Sequence, residues 1–318
     1  MKHIFIVNPA AGKEEFRNDL SRRMHSVNAD FQVYLTKAPK DATRFVRKYC
    51  SENSGPVRFY ACGGDGTLSE VAAGTVGFEN AELSCCPCGS GNDFVKYYGG
   101  EEAFRDIDAL INAPAHPIDL IKINDTYSLN VVNFGFDTHV AKTMEKVRNK
   151  KIIGGKNAYN TGVFSSVLFA MKNQAEIYAD GERLNPDGKF LLCTAANGKY
   201  VGGAFQCAPR SVNDDGLMEI CMVKPISRFK FVKLLGPYTA GKHLDDPNFK
   251  DIIEYRRCRR LEVNASEGFS VCVDGELLDT THFICEVMPG AVKFAAPAAA
   301  VPTEEILIQY SSRTNSLL

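Results

Sequence analysis

The chain has 318 residues, 45% hydrophobic and 24% charged, a globular balance at a length that predicts two domains with separate cores. A formal net charge of -1 gives no whole-chain pull toward nucleic acid or anionic membrane, so nucleic acid is not an expected partner and membrane contact needs a local patch. MKHIFIVNPAAGK has too few apolar residues ahead of Asn8 and Pro9 for a secretory core, and VFSSVLFAM (163–171) falls short of the roughly 20 residues that span a bilayer, so a cytoplasmic chain is expected. The 11 cysteines form an odd, scattered set suited to a reducing compartment. Cys85, Cys86 and Cys88 lack a second pair at zinc spacing and read as buried thiols on a strand.

In chain order, HIFIVN (3–8) reads as a strand ended by Pro9 and Gly12. Phe16, Leu20, Met24 and Val27 then mark a helix face. FQVYLT (31–36) is the second strand, and Asp41 is placed to cap the next helix. VRFYAC (57–62) and ELSCCPC (82–88) follow, each leading into a glycine-rich turn and a helix. Four strand-helix alternations predict an α/β domain with a parallel sheet and function at the carboxyl ends of its strands. From about His116 the pattern changes to short strands, with Asp180-Gly181 and Asp274-Gly275 as hairpin turns, helical inserts near 138–149 and 160–174, and a helical pattern from Arg228 to Gly241. This half is read as mostly antiparallel β, and the segment after Ala291 offers strands that return to the first domain.

The turns GGDGT (63–67) and GSGNDF (89–94) are the chemical signal. NPAAGKEE (8–15) lacks the upstream glycine and the following Ser or Thr of a P-loop, and both turns lack the third glycine of a Rossmann fingerprint, with Ser69 and Phe94 in its place. Thr67-x-x-Glu70 and Ser90-x-x-Asp93 both read as helix caps, so a purely structural account is open. The alternative is a phosphate site made by two helix N-termini at adjacent strand ends. Capping leaves unexplained the acidic Asp65 inside such a turn, which suits a metal ion held between carboxylate and phosphate.

Gly63-Gly64-Asp65-Gly66-Thr67 with Glu70, followed by Gly89-Ser90-Gly91-Asn92-Asp93-Phe94, resembles the catalytic domain shared by bacterial diacylglycerol kinases, sphingosine kinases and ceramide kinases. Asn8 to Gly12, Asn133 to Asp137, Ala208 to Leu217 and Val273 to Glu276 follow that family's motif order, so the resemblance covers nearly the whole chain. It implies a nucleotide-binding α/β domain (1–122 with 291–318, NAD-kinase/phosphofructokinase-like), a C-terminal β-sandwich for the acceptor (123–290), and an active site in the cleft between them.

The resemblance further implies that ATP is bound by Asn8, Pro9, Ala10, Ala11, Gly12, Thr36, the run Gly63, Gly64, Asp65, Gly66, Thr67, Leu68, Ser69 and Glu70, and by Ser90, Asn92 and Asp93. Glu276 takes the place of the general base. Asp215, with the carbonyls of Val212 and Leu217, takes the place of a Mg2+ site, and a second Mg2+ arriving with ATP would reach Asp65. The expected reaction is phosphoryl transfer to a lipid hydroxyl, diacylglycerol foremost, at the inner face of the membrane, with homodimerisation left open. Kinases of phosphatidylglycerol, a sphingoid base or NAD, and a non-catalytic sensor, are the competing readings. Lys142, Lys146, Arg148, Lys150, Lys151 and Lys156, ahead of Phe164 to Phe169, read either as a membrane patch or as a solvated loop. Arg256, Arg257, Arg259 and Arg260 carry no assigned role.

Overall fold

The computed structural model describes residues 1–12, 22–23, 30–149 and 171–300, with side chains of 144–149 left out. The expected helix on Phe16 to Val27, the insert over 160–170 and most of the basic run from Lys146 to Lys156 lie outside the described residues. Lys142 is described, and pairs with Asp279 at 3.3 Å. The chain divides into two compact units, 1–118 with 290–318 and 119–289.

The first unit is a parallel α/β layer. Strands β1 (Lys2–Val7), β2 (Phe31–Leu35), β3 (Val57–Gly63) and β4 (Ala81–Pro87) lie in the order β4-β3-β1-β2. Ile4, Phe5, Ile6, Phe59, Tyr60 and Leu83 are fully buried, as parallel strands covered on both faces require, and each such side chain contributes about 2 kcal/mol of hydrophobic stabilisation. Helices α1 (Asp41–Glu52) and α2 (Asp65–Thr75) pack together, and α3 (Ile107–Ile111) follows two short 3₁₀ turns at Phe94–Tyr98 and Glu101–Phe104.

One expected cap and one expected helix differ. Asp41 is the first helical residue rather than the cap, and its carboxylate accepts from the Lys37 N–H at 2.9 Å and the Tyr34 hydroxyl at 3.0 Å, which holds it below the usual carboxylate range. The segment after GSGND is a five-residue 3₁₀ turn, because Gly99 (φ 87°) and Gly100 (φ 105°) end it in left-handed backbone.

The second unit is a β-sandwich. After β5 (Ala115–Ile123) and β6 (Thr126–Ser128) come β7 (Val131–Gly135), α4 (Phe136–Asn149), β8 (Asn173–Ala179), β9 (Glu182–Arg183), β10 (Lys189–Phe190), β11 (Leu192–Ala196) and β12 (Met218–Val223). Helix α5 (Arg228–Thr239) leads to β13 (Ile253–Cys258), β14 (Arg260–Ala265), β15 (Ser270–Val273), β16 (Glu276–Asp279) and β17 (His282–Ala295).

One sheet runs β13-β12-β11-β7-β15-β16, all antiparallel, and the facing sheet pairs β10-β8-β14-β17. Between them lie Val132, Phe134, Ile177, Phe190, Ile220, Val263 and Phe283. Alternation sends Val131 to the sheet's other face, where Phe136, Phe231, Leu234 and Tyr238 cover it. Asp180-Gly181 and Asp274-Gly275 form the hairpin turns with positive φ at both positions, as the type I′ geometry demands. The last strand ends in the first unit, where Lys293 and Phe294 pair in parallel with Glu82 and Leu83 of β4.

All 11 cysteines are free thiols, and ten are buried, including Cys85 and Cys86 on β4. Burial pushes the Cys85 thiol well above its ordinary value. Three of the four clustered arginines are held in ion pairs. Arg256 pairs with Glu182 and Glu254, Arg257 with Asp215 and Glu219, and Arg260 with Glu262 and Glu286.

Candidate functional site

The carboxyl ends of the four parallel strands bring the first set of expected residues together. The Asn8 N–H donates to the Cys62 carbonyl at 3.0 Å, that of Thr36 to Val7 at 3.0 Å, and that of Cys88 to Gly63 at 2.9 Å. Asn8, Thr36 and the two glycine turns therefore share one edge. The Asn8 side chain folds the first turn by accepting from the Ala10 N–H at 2.9 Å, and its Nδ2 donates to Thr67 Oγ1 at 3.1 Å. Gly12 (φ 70°) completes that turn against Cys88, and Pro9 and Ala11 lie within it.

Glycines in the two turns do different things. A Cβ on Gly63 would overlap the Thr67 side chain, and one on Gly89 would lie 2.6 Å from the Gly64 Cα, so Gly63 admits that side chain and Gly89 lets the two turns pack backbone to backbone. A Cβ on Gly66 meets nothing within 4 Å. Gly66, the second residue of the 11-residue α2, thus leaves its backbone facing open space at a helix N-terminus.

Several sequence readings change. Thr67 and Glu70 form no capping box, since the cap position is Gly64 and no side chain caps there. Glu70 instead reaches α1, where its two oxygens accept from the Lys40 N–H at 2.8 Å and the Ala42 N–H at 3.3 Å. The reason is geometric: Lys40 enters α1 in left-handed backbone (φ 64°) and has no cap of its own, so the neighbouring helix supplies the acceptor. Leu68 is buried in the core face of α2, while Ser69 is only partly covered.

Ser90-x-x-Asp93 is not a cap either. The second turn is closed by Asn92, whose Oδ1 accepts from the Gly89 N–H at 3.0 Å while Nδ2 donates to the Gly89 carbonyl at 2.9 Å and Glu101 at 2.8 Å. Asp93 pairs with Lys96 at 2.5 Å, and Ser90 is exposed at the tip. Asp65 Oδ1 accepts from the Phe94 N–H at 3.2 Å and so ties the two turns together.

The other expected residues lie in the second unit. Asp274 collects four donors: Ser128 Oγ at 2.7 Å and the N–H groups of Leu129 (2.7 Å), Asn130 (3.1 Å) and Val131 (2.9 Å). It thereby fixes the turn that starts β16 at Glu276, whose exposed carboxylate has no hydrogen-bond or ionic partner among the described residues. Asp119, almost fully buried, was not singled out in the sequence. Its Oδ2 accepts from the Gly216 N–H at 2.7 Å, and its own N–H donates to Asn213, so it braces the 212–217 turn. The one signal for it is a carboxylate inside the apolar run IDLIKI.

Within the 212–217 turn Asp215 Oδ1 accepts from the Leu217 N–H at 3.0 Å, and Arg257 Nη2 contacts Oδ2. Arg257 Nε also lies 3.0 Å from Glu219, whose burial raises its carboxyl above the usual range. One carboxylate with the carbonyls of Val212 and Leu217 fits a hard cation in kind. The guanidinium already supplies Asp215 with its counter-charge, so an ion there must displace Arg257. No cluster of three or more His, Cys, Asp or Glu suited to a metal occurs among the described residues.

Residues 2–123 match the Diacylglycerol kinase catalytic domain, and residues 130–296 match the YegS C-terminal NAD kinase beta sandwich-like domain. The chain belongs to the diacylglycerol kinase-like lipid kinase family. It is similar to a protein of Pseudomonas aeruginosa named "Probable lipid kinase YegS-like", with 31% identity over 91% of this chain and 92% of the relative. A diacylglycerol kinase of Bacillus subtilis is 27% identical over 85% of this chain and 88% of its own length. A crystal structure from Bacillus anthracis strain Sterne, of a protein assigned as a diacylglycerol kinase, superposes with a TM-score of 0.73 at 25% identity, covering 94% of this chain and 98% of that one. This lipid kinase-like chain therefore carries both family halves in the family's order.

Proposed function

We propose that the protein transfers the γ-phosphoryl group of ATP to a lipid hydroxyl, with diacylglycerol as acceptor and phosphatidic acid as product. Residues 1–122 with 291–318 take the nucleotide and 123–290 take the acceptor. The observation that carries the nucleotide assignment is the open backbone at Gly66, at the N-terminus of α2 and on the strand-end edge that also holds Asn8 and Thr36. Unfilled N–H groups and the positive end of the helix favour phosphate there. The Ser90 hydroxyl, exposed at the neighbouring tip, is a further donor to the nucleotide.

Glu276 is the general base. Its carboxylate takes the proton of the acceptor hydroxyl as that oxygen bonds to the γ-phosphorus and the bond to the ADP oxygen breaks. An exposed carboxylate held by no neighbour among the described residues, on a turn made rigid by Asp274, has the access and the fixed position this needs. Mg2+, when bound, neutralises phosphate charge. Asp65 would face the ion that accompanies ATP, and Asp215 with the carbonyls of Val212 and Leu217 would hold another in place of Arg257.

The test is transfer from radiolabelled ATP to a panel of diacylglycerol, phosphatidylglycerol, a sphingoid base and NAD. Labelled phosphatidic acid is expected. Label in NAD alone would replace the lipid reading with the soluble-acceptor one that the sandwich's NAD kinase likeness favours, and no label in any acceptor would leave a sensor. Glu276→Gln should abolish turnover and keep ATP affinity, so lost ATP binding would show that Glu276 is not the base.

A further inference from the structure

Helix α5 presents an unusual outward face. Its buried stripe is Phe231, Leu234 and Tyr238, spaced as one side of a helix, and Ser227 caps its start by accepting from the Lys230 N–H at 3.2 Å. The opposite side, where charge is the rule, carries Phe229 at 72% exposure and Val232 at 63%, the two most exposed large apolar side chains among the described residues. The Lys233 ammonium lies 4.4 Å from the centre of the Phe229 ring. From Lys224 to Lys242 the sequence has five Lys or Arg and no Asp or Glu.

We propose that this face of α5, led by Phe229 and Val232 and flanked by Arg228, Lys230 and Lys233, docks the protein on an anionic lipid bilayer. A capped amphipathic helix with one stripe in the core has a fixed orientation, so its second apolar stripe is offered outward without any unfolding. Phe229 and Val232 enter the headgroup layer, and the cations beside them stay at the level of the lipid phosphates. A nucleic acid would use the cations and leave the apolar pair in water. A protein partner would need acidic complementarity around the same pair, which the lipid surface supplies continuously. The proposal depends on the lipid kinase reading only in choosing a bilayer as the surface that holds the substrate.

The test is flotation of the full chain with vesicles of phosphatidylcholine alone or of equimolar phosphatidylcholine and phosphatidylglycerol, together with transfer to a short-chain diacylglycerol dissolved in detergent. Wild type should float with the anionic vesicles only and release at high salt. Phe229→Ser with Val232→Ser should weaken that binding about tenfold, and Lys230→Glu with Lys233→Glu by at least as much. Both variants should keep detergent-phase transfer, which needs no docking and shows that they fold. Vesicle binding unchanged in both variants would overturn the proposal, as would a wild-type dimer that these substitutions split while flotation persists. A wild type that floats but transfers nothing would defeat the diacylglycerol kinase reading and leave the docking surface standing.

Discussion

The two units build their turns with different emphasis. In the first, missing side chains let the turns at 63–67 and 89–92 close on each other, since Gly63 makes room for the Thr67 side chain and Gly89 sits against the Gly64 backbone, with Asn92 bonding within its own turn. In the second, buried or turn aspartates accept from backbone: Asp274 from the N–H groups of 129–131, and Asp119 from that of Gly216 in the 212–217 turn. Glycine packing leaves an edge with bare backbone, which suits a large polyanion. Carboxylate hubs fix a side chain at a defined position, which suits a proton acceptor such as Glu276.

The difference can be broken most severely at the hub. Asp274→Ala strands three backbone N–H groups and should cost about 4 kcal/mol in urea denaturation, with turnover falling even where the chain remains folded. Gly63→Ala should cost about 2–3 kcal/mol, because the added carbon overlaps Thr67 and breaks its bond with Asn8. Gly66→Ala is the control on the same loop: stability should change by less than about 0.5 kcal/mol while the KM for ATP rises. Equal stability losses for the two alanines would show that the loop does not separate packing from binding.

Glu70→Gln should cost about 1 kcal/mol through the start of α1, visible as faster amide exchange at Lys40 and Ala42. A pH-dependent effect of similar size concerns Asp137 of α4. Its Oδ2 is enclosed with no hydrogen-bond partner among the described residues, and burial raises the carboxyl to about 6. The protonated form is the one the fold favours. Its stabilisation is complete below the ordinary value of 3.8 and is lost as pH rises through about 6. Asp137→Asn should therefore raise stability by about 1 kcal/mol at pH 7 and by less at pH 5, measured in parallel urea titrations.

Local patterns carried the fold well. The four strands and the second and third helices before His116, the two Asp-Gly hairpin turns and the apolar strands after them are short-range signals, and each led to the element found. The caps were misread for an equally local reason. Thr67-x-x-Glu70 has the spacing of a capping box, but the chain places Gly64 at the cap, Thr67 against Asn8 and Glu70 against another helix. Ser90-x-x-Asp93 failed similarly, because Gly99 and Gly100 stop the helix after five residues. Within the candidate site, Gly63 to Gly66, Asn8, Ser90 and Glu276 were visible as motifs. Asp119 was not, since nothing in a strand sequence shows which distant N–H its carboxylate will meet.

By itself the sequence determined the two folding patterns and the positions of the turns, because backbone preference and side-chain periodicity act over a few residues. Only the tertiary structure decided which side chain serves which turn. Asn8 meets Thr67 across 59 positions, Glu70 reaches back 30 to Lys40, Arg257 returns 42 to Asp215, and Asp274 holds residues more than 140 positions earlier. Such bonds form because packed strands and helices bring donors and acceptors within about 3 Å, a proximity that no spacing along the chain encodes.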